Sequence, residues 1–275
     1  MNTTFTNRLP KAEKLFIPFI VAGDPHPDVT VEIALTLQES GASIIELGIP
    51  YSDPLADGPV IQRASGRALK NGVTLENSMK LVSVMRKKGL KIPVIIFTYY
   101  NPVLQLGEEN FFALAQQNGI DGLLVPDLPF EESEDLRRKC ESEGLKFISL
   151  VAPTSSSRIE KIATNAQGFL YCVSSLGVTG VRNSLNNEVY SFLQEVKRYS
   201  NIPVAVGFGI SNSSQVEALK DYCDGVIMGS ALIQKIEEYL PELVNEETRA
   251  TALSHFKIFV DDVLHPINFI QQKTE

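Results

Sequence analysis

The chain has 275 residues, 44% of them hydrophobic and 21% charged, enough apolar material for one large α/β barrel or two smaller domains. Its net charge of −8 argues against nucleic acid or an anionic membrane as the main partner, although backbone amides can still hold a phosphate. Cys140, Cys172 and Cys223 form no CxxC pair and no disulfide framework. With no signal peptide and no apolar run of membrane-spanning length, they point to a reduced, cytoplasmic protein.

Residues 2–13 are polar and mixed, with room for a short helix against the body. Leu15 to Val21 is the first apolar run, stopped by Gly23-Asp24-Pro25. Asp28 to Glu39 has helical spacing, ended by Ser40-Gly41. Ser43 to Gly48 reads as a second strand, and a long loop leads to helices over Pro59–Lys70 and Thr74–Lys88. Further strands are expected at Pro93–Phe97, Gly122–Val125, Lys146–Val151, Phe169–Val173, Pro203–Val206 and Gly225–Met228. Between them lie helices at about Glu108–Asn118, Glu131–Glu143, Ser157–Asn165, Asn187–Tyr199 and from Ser211, read as an N-cap, to Asp221. Helices from about Ala231 to Leu240 and from Glu246 to Val263 complete the chain.

The strands are continuous hydrophobic runs, the mark of burial on both faces in a parallel sheet. They recur about every 25–30 residues, the size of a βα repeat. No linker or low-complexity tract divides the chain. Eight such units predict a single-domain (β/α)8 TIM barrel over 1–275, with extra N-terminal and loop helices. A doubly wound open sheet is the alternative, but the first loop, Gly23-Asp24-Pro25-His26-Pro27, is a poor dinucleotide cradle.

One stretch concentrates the chemistry. Glu46 interrupts an otherwise apolar strand, and Asp57 follows in the Pro/Gly-rich loop behind it. An ionised Glu in an apolar strand is costly unless paired, hydrated or neutralised. Desolvation would raise its pKa, as suits a proton-transferring group, and two carboxyls in different surroundings can divide acid and base work. The competing account pairs Glu46 with a Lys or Arg elsewhere and makes Asp57 the cap of the helix starting near Pro59. These residues alone leave both open.

In a TIM barrel the site forms at the C-terminal ends of the strands. Side chains alternate along a strand, so Ile44, Glu46 and Gly48 share one face. Phe19, Phe97, Tyr99, Leu124, Asp127 and Tyr171 would converge near the same mouth, mostly as apolar or aromatic groups suited to a flat ligand. Taken singly, Phe97, Leu124 and Tyr171 are better accounted for by core packing, and turn stabilisation accounts equally well for Asp127. Gly207-Phe208-Gly209 and Gly229-Ser230 end the last two strands, where this fold recurrently binds phosphate. Gly180 in loop six can add an amide. No His/Cys/Asp cluster has metal-ligand spacing, and no GxSxG motif, P-loop or strand-end Schiff-base lysine is present.

The segment from Glu46 to Gln62 resembles the signature of the tryptophan synthase alpha chain family. So do Pro18-Phe19 with Gly23-Asp24-Pro25, Thr98-Tyr99-Tyr100-Asn101-Pro102 and Val125-Pro126-Asp127-Leu128-Pro129. Ala152-Pro153-Thr154, Gly177-Val178-Thr179-Gly180, Gly207-Phe208-Gly209-Ile210 and Gly229-Ser230 extend the likeness, in the family's order, from roughly Phe5 to Val263.

The resemblance implies a lyase that cleaves indole-3-glycerol phosphate to indole and glyceraldehyde 3-phosphate, a retro-aldol step without cofactor. It implies Glu46 and Asp57 as the catalytic pair. Phe19, Phe97, Tyr99, Leu124, Asp127, Tyr171 and Thr179 would bind substrate, with Thr179 touching Asp57 when the loops close. Gly180, Phe208, Gly209, Gly229 and Ser230 would bind phosphate. The implied partner is the beta chain of an α2β2 complex, which carries the pyridoxal phosphate and receives indole through a tunnel. It would contact loop two and the Asn101-Pro102 segment.

Two departures stand out. Val21-Ala22 replaces the family's Thr-Ala, and loop six begins Ser174-Ser175-Leu176 where an Arg is usual; both bear on loop closure and inter-subunit signalling more than on the catalytic groups. Three other functions fit the residues. They are a stand-alone lyase releasing free indole, a degenerate barrel that only activates a partner, and another phosphate-binding barrel such as a phosphosugar isomerase.

Overall fold

The computed structural model describes residues 5–173, 187–207 and 209–267. The chain opens with α1 (Phe5–Arg8), β1 (Leu15–Val21), α2 (Pro27–Glu39) and β2 (Ile45–Gly48). Then come α3 (Pro59–Lys70), α4 (Leu75–Lys87), β3 (Val94–Phe97), α5 (Tyr100–Leu106), α6 (Glu108–Asn118) and β4 (Gly122–Leu124). The middle holds α7 (Glu134–Ser142), β5 (Lys146–Phe147), β6 (Ser149–Val151), a 3-10 helix (Pro153–Arg158), α8 (Ile159–Thr164) and β7 (Leu170–Val173). The last part is α9 (Asn187–Tyr199), β8 (Val204–Gly207), α10 (Ser213–Leu219), β9 (Gly225–Met228), α11 (Ser230–Glu238), α12 (Leu240–Val244) and α13 (Glu246–Leu264).

The strands form one sheet in the order β5-β4-β3-β2-β1-β9-β8-β7-β6, and every pairing is parallel. The two strands at the ends of that order are neighbours in sequence, separated by Ile148 alone. The sheet therefore curls until its ends meet, and the fold is the expected TIM barrel. The single strand expected over Lys146–Val151 is split because its two halves have different partners. Lys146 and Phe147 pair with β4, whereas Ser149 to Val151 pair with β7.

Alternation sorts the side chains into two cores. Leu15, Ile17, Ile44, Ile95, Leu124, Ile148, Phe169, Ala205 and Ile227 fill the lumen, and Phe5 of α1 plugs it from below. Ile45, Leu47, Ile96, Leu123 and Val206 point outward into the layer beneath the helices. Glycine is required where strands press closest: a Cβ on Gly122 would lie 2.6 Å from the Lys146 carbonyl, and one on Gly225 would lie 2.8 Å from that of Leu15.

Several local expectations are corrected. A helix over Tyr100–Leu106 was not anticipated; Pro102 falls in its first turn, where a missing N–H costs nothing. The helix expected from Glu131 begins only at Glu134. The one expected over Ser157–Asn165 is a 3-10 turn followed by a shorter α-helix. The cap of α10 is Asn212, whose side chain accepts from the Gln215 N–H, and not Ser211. Asp57 does not cap α3; Gly58 holds that position without a side-chain hydrogen bond. No helix among the described residues is long and apolar enough to cross a membrane.

Candidate active site

Glu46 sits on β2 in register with Phe19 on β1 and Ile95 on β3. Its neighbour two residues back, Ile44, belongs to the lumen cluster, whereas Ile45 and Leu47 belong to the outer one. The Glu46 side chain therefore points into the barrel. It is 0% exposed, and neither carboxyl oxygen has a hydrogen-bond partner among the described residues. Burial drives its pKa well above the ordinary 4.5. No Lys or Arg among the described residues holds Glu46.

Around it the strand ends assemble an aromatic mouth. Phe19 and Phe97 meet edge to face, with ring centroids 5.2 Å apart at 78°. Gly48 makes room for this pair, since a Cβ there would fall 2.4 Å from Cζ of Phe19. Leu124 lies beside Phe97 in register and is fully buried. Tyr171 stands across the lumen on β7, its ring against Gly207, where a Cβ would lie 2.8 Å from the hydroxyl. Burial, and then the charge of Glu46, push its phenol well above the usual range.

Asp57 occupies the loop between β2 and α3 and is partly buried. Desolvation raises its pKa, opposed by a hydrogen bond from the Tyr99 hydroxyl. That hydroxyl also accepts from the Ala56 N–H at 2.9 Å, and burial lifts Tyr99 itself to about 12. Tyr99 packs against Tyr51 with ring centroids 5.1 Å apart, and Asn101 donates to the Tyr51 hydroxyl at 3.2 Å. Loop two is thus latched to the segment after β3. Tyr51 and Asn101 were not among the sequence-predicted site residues; the spacing between them, 50 residues, leaves no local pattern to find.

Asp127 is exposed on the rim. Its carboxylate accepts from the Tyr100 N–H at 3.0 and 3.3 Å, holding the start of α5. Gly209 takes a left-handed φ of 66°, a conformation that glycine adopts at least cost. Gly229 is the N-cap residue of α11, and Ser230, exposed, begins that helix. Thr179, Gly180 and Phe208 lie outside the described residues, as does the rest of loop six. Among the described residues, no group of three or more His, Cys, Asp or Glu side chains could hold a metal ion.

The arrangement offers a buried carboxyl, unpaired among the described residues, below an aromatic slot, a second carboxyl on a latched loop, and glycine turns with a helix start beyond. A flat ring with a phosphorylated tail fits this sequence of surfaces.

Comparison with known proteins gives a consistent result. The family model for the tryptophan synthase alpha chain matches residues 5–262. The tryptophan synthase alpha chain of a Geobacillus species is 64% identical over 253 residues, covering 92% of this chain and 96% of that one. That of Bacillus subtilis is 59% identical over 249 residues, covering 90% and 93%. Among solved structures, the α2β2 tryptophan synthase complex of Pyrococcus furiosus aligns with a TM-score of 0.82 at 38% identity, over 93% of this chain and 99% of that one. The alpha chain from Legionella pneumophila aligns with a TM-score of 0.81 at 34% identity, over 94% of each. With a family model spanning nearly its whole length and relatives this similar, the chain belongs to the tryptophan synthase alpha chain family.

Proposed function

We propose that Glu46 carries the proton in the reaction of this family, the lyase cleavage of indole-3-glycerol phosphate to indole and glyceraldehyde 3-phosphate. The observation that supports this most is the Glu46 carboxyl itself, wholly buried in the lumen with no partner on either oxygen among the described residues. A carboxyl so placed is a neutral acid near neutral pH. It donates its proton to indole C3, which disrupts the ring's aromaticity and leaves positive charge on the ring nitrogen. The resulting carboxylate accepts the proton of the C3′ hydroxyl. The C3–C3′ bond then breaks, its electrons restore the indole, and the aldehyde of glyceraldehyde 3-phosphate forms. Glu46 ends the cycle protonated, as it began.

Asp57 accepts a hydrogen bond from the indole N–H and stabilises the charge that develops there. Tyr99 holds the Asp57 carboxylate in place, and Asp127 fixes the turn that carries Tyr99. Phe19, Phe97 and Leu124 flank the ring, with Tyr171 closing the far wall. Gly209, Gly229 and Ser230, joined by Gly180 and Phe208, bind the phosphate mainly through backbone amides. Thr179 meets Asp57 as loops two and six close and exclude water.

The chain needs no cofactor of its own and works in the cytoplasm as the alpha subunit of an α2β2 complex. The beta chain carries pyridoxal phosphate and takes up the indole. The side-by-side placement of loop two and α5 supports the docking surface, as do their exposed Leu55 (84%) and Leu104 (53%).

Incubating the purified chain with indole-3-glycerol phosphate, with and without a beta chain, tests this function. Indole release that rises on adding the beta chain is expected. No turnover with a competent beta chain would overturn the proposal in favour of a degenerate scaffold.

A further inference from the structure

The two groups assigned above to the ends of the substrate stand on helices that are not part of the barrel's regular ring. After β2 the chain makes two helices: α4 packs against α2 and α6 in the outer ring, whereas α3 packs against α11 and β1. After β9 the ring position is filled by α13, against α2 and α10, and α11 again packs on α3 and β1. Asp57 lies immediately before the N-cap of α3, and Ser230 is the first residue of α11. The barrel strands alone therefore do not set the separation of these two groups.

An ion cluster joins the two helices. Arg67 of α3 grips Asp24 of loop one with both edges of its fork, Nε to Oδ1 at 2.7 Å and Nη2 to Oδ2 at 3.0 Å. Its remaining nitrogen, Nη1, donates to Oε1 of Glu237 on α11 at 2.7 Å. Arg63, one turn earlier on α3, donates to the same carboxylate through Nε at 2.9 Å and Nη2 at 2.6 Å. Asn71, the C-cap of α3, donates to the carbonyls of Gly23 and Pro25 at 3.3 and 2.8 Å. The Asp24 side chain is 0% exposed and that of Arg67 21%.

A cluster of this kind does not hold two helices together more cheaply than apolar contacts would, because burying its charges costs desolvation. What a forked guanidinium between two carboxylates adds is a fixed geometry: it allows one separation and one angle. We propose that Asp24, Arg67, Glu237 and Arg63 are positioning residues that set the span from Asp57 to the start of α11. They thereby match the site to a ligand carrying an indole ring at one end and a phosphate at the other. This rests on the assignment of those two ends in the preceding section.

The test compares fragments with the joined ligand by calorimetry on the full chain. The probes are indole, inorganic phosphate, and indole-3-propanol phosphate, which joins ring and phosphate without the reacting hydroxyl. Glu237→Gln is expected to bind each fragment within about twofold of the unsubstituted chain and the joined ligand roughly tenfold more weakly, because only the joined ligand draws on the preset separation. For cleavage, KM should rise more than kcat falls. Arg67→Lys keeps the charge without the fork and should behave like Glu237→Gln. If Glu237→Gln does not fold, Arg63→Gln decides, since this side chain is half exposed; a loss of about threefold is expected for the joined ligand alone.

Unchanged affinity for the joined ligand, or equal weakening of phosphate alone, would overturn the proposal. An unsubstituted chain that binds neither phosphate nor the joined ligand would instead overturn the site assignment beneath it.

Discussion

Two buried carboxylates occupy opposite ends of the same barrel and live in contrasting surroundings. Asp121, just before β4, has partners on several sides that oppose the rise in pKa caused by its burial. It accepts from Arg86 at 2.7 Å and from the Val94 N–H at 2.9 Å, and pairs with Arg8 at 3.2 Å. Arg86 in turn donates to the carbonyls of Gly119, Leu90 and Ile92. This cluster locks α1 under the lumen. Glu46, near the C-terminal end of β2, is buried just as deeply and has no hydrogen-bond partner among the described residues. A satisfied carboxylate serves the fold; an unsatisfied one makes the fold less stable and is kept where its proton is used. The two faces of one barrel thus divide stability and chemistry between them.

Breaking the comparison at its functional end should have the largest effect. Glu46→Gln is expected to lower cleavage by at least about a thousandfold, the scale of a lost acid–base group, while circular dichroism stays unchanged. Turnover within tenfold of the unsubstituted chain would refute the role of Glu46. At the structural end, Asp121→Asn leaves Arg86 buried without its counter-charge and should cost about 3 kcal/mol in urea unfolding, with kcat per folded molecule unchanged. A loss of activity in the folded fraction would show that the two ends are not independent.

Asp57→Asn should reduce kcat by about a hundredfold, because it removes a charge that stabilises the developing cation. Rates measured under saturating substrate check this; an intact kcat with raised KM would make Asp57 a binding group only.

The pH dependence of stability sharpens the contrast. Because Glu46 has a raised pKa, the native state keeps a proton that the unfolded chain releases. Its contribution to stability is complete below the ordinary carboxyl value of 4.5 and is lost as pH climbs toward the folded pKa. Glu46→Gln should therefore be nearly neutral at about pH 4 and stabilising by about 1–3 kcal/mol at about pH 8. A pH-independent difference in unfolding free energy would contradict this. The smallest effect expected is from Tyr99→Phe, which removes one hydrogen bond to Asp57 and should slow kcat by about three- to tenfold. An unchanged kcat would show that loop two holds Asp57 without the latch.

Most of the strands were legible because parallel strands buried on both faces are written as unbroken apolar runs, as in Val94–Phe97 and Gly225–Met228. Glu46 was visible for the same reason, since one acid in such a run must be paired, hydrated or neutralised. Its lack of a partner was not visible. Any Lys or Arg in the chain could have reached it, and only the closed barrel shows that none among the described residues does. The helix over Tyr100–Leu106 was hidden by Pro102, and the division of the fifth stave at Ile148 by a pairing change that leaves no mark in its residues.

The Asp24–Arg67–Glu237 cluster joins positions 43 and 170 residues apart, a distance at which local sequence carries no pairing information. The sequence by itself determined the succession of strands and helices, which residues of β2 share a face and the residue types at the strand ends, because periodicity is a local property of a chain. Tertiary structure alone decided which buried charges are answered and which is left bare, and how the two loop helices are set against each other. Those depend on groups brought together only when the sheet closes on itself.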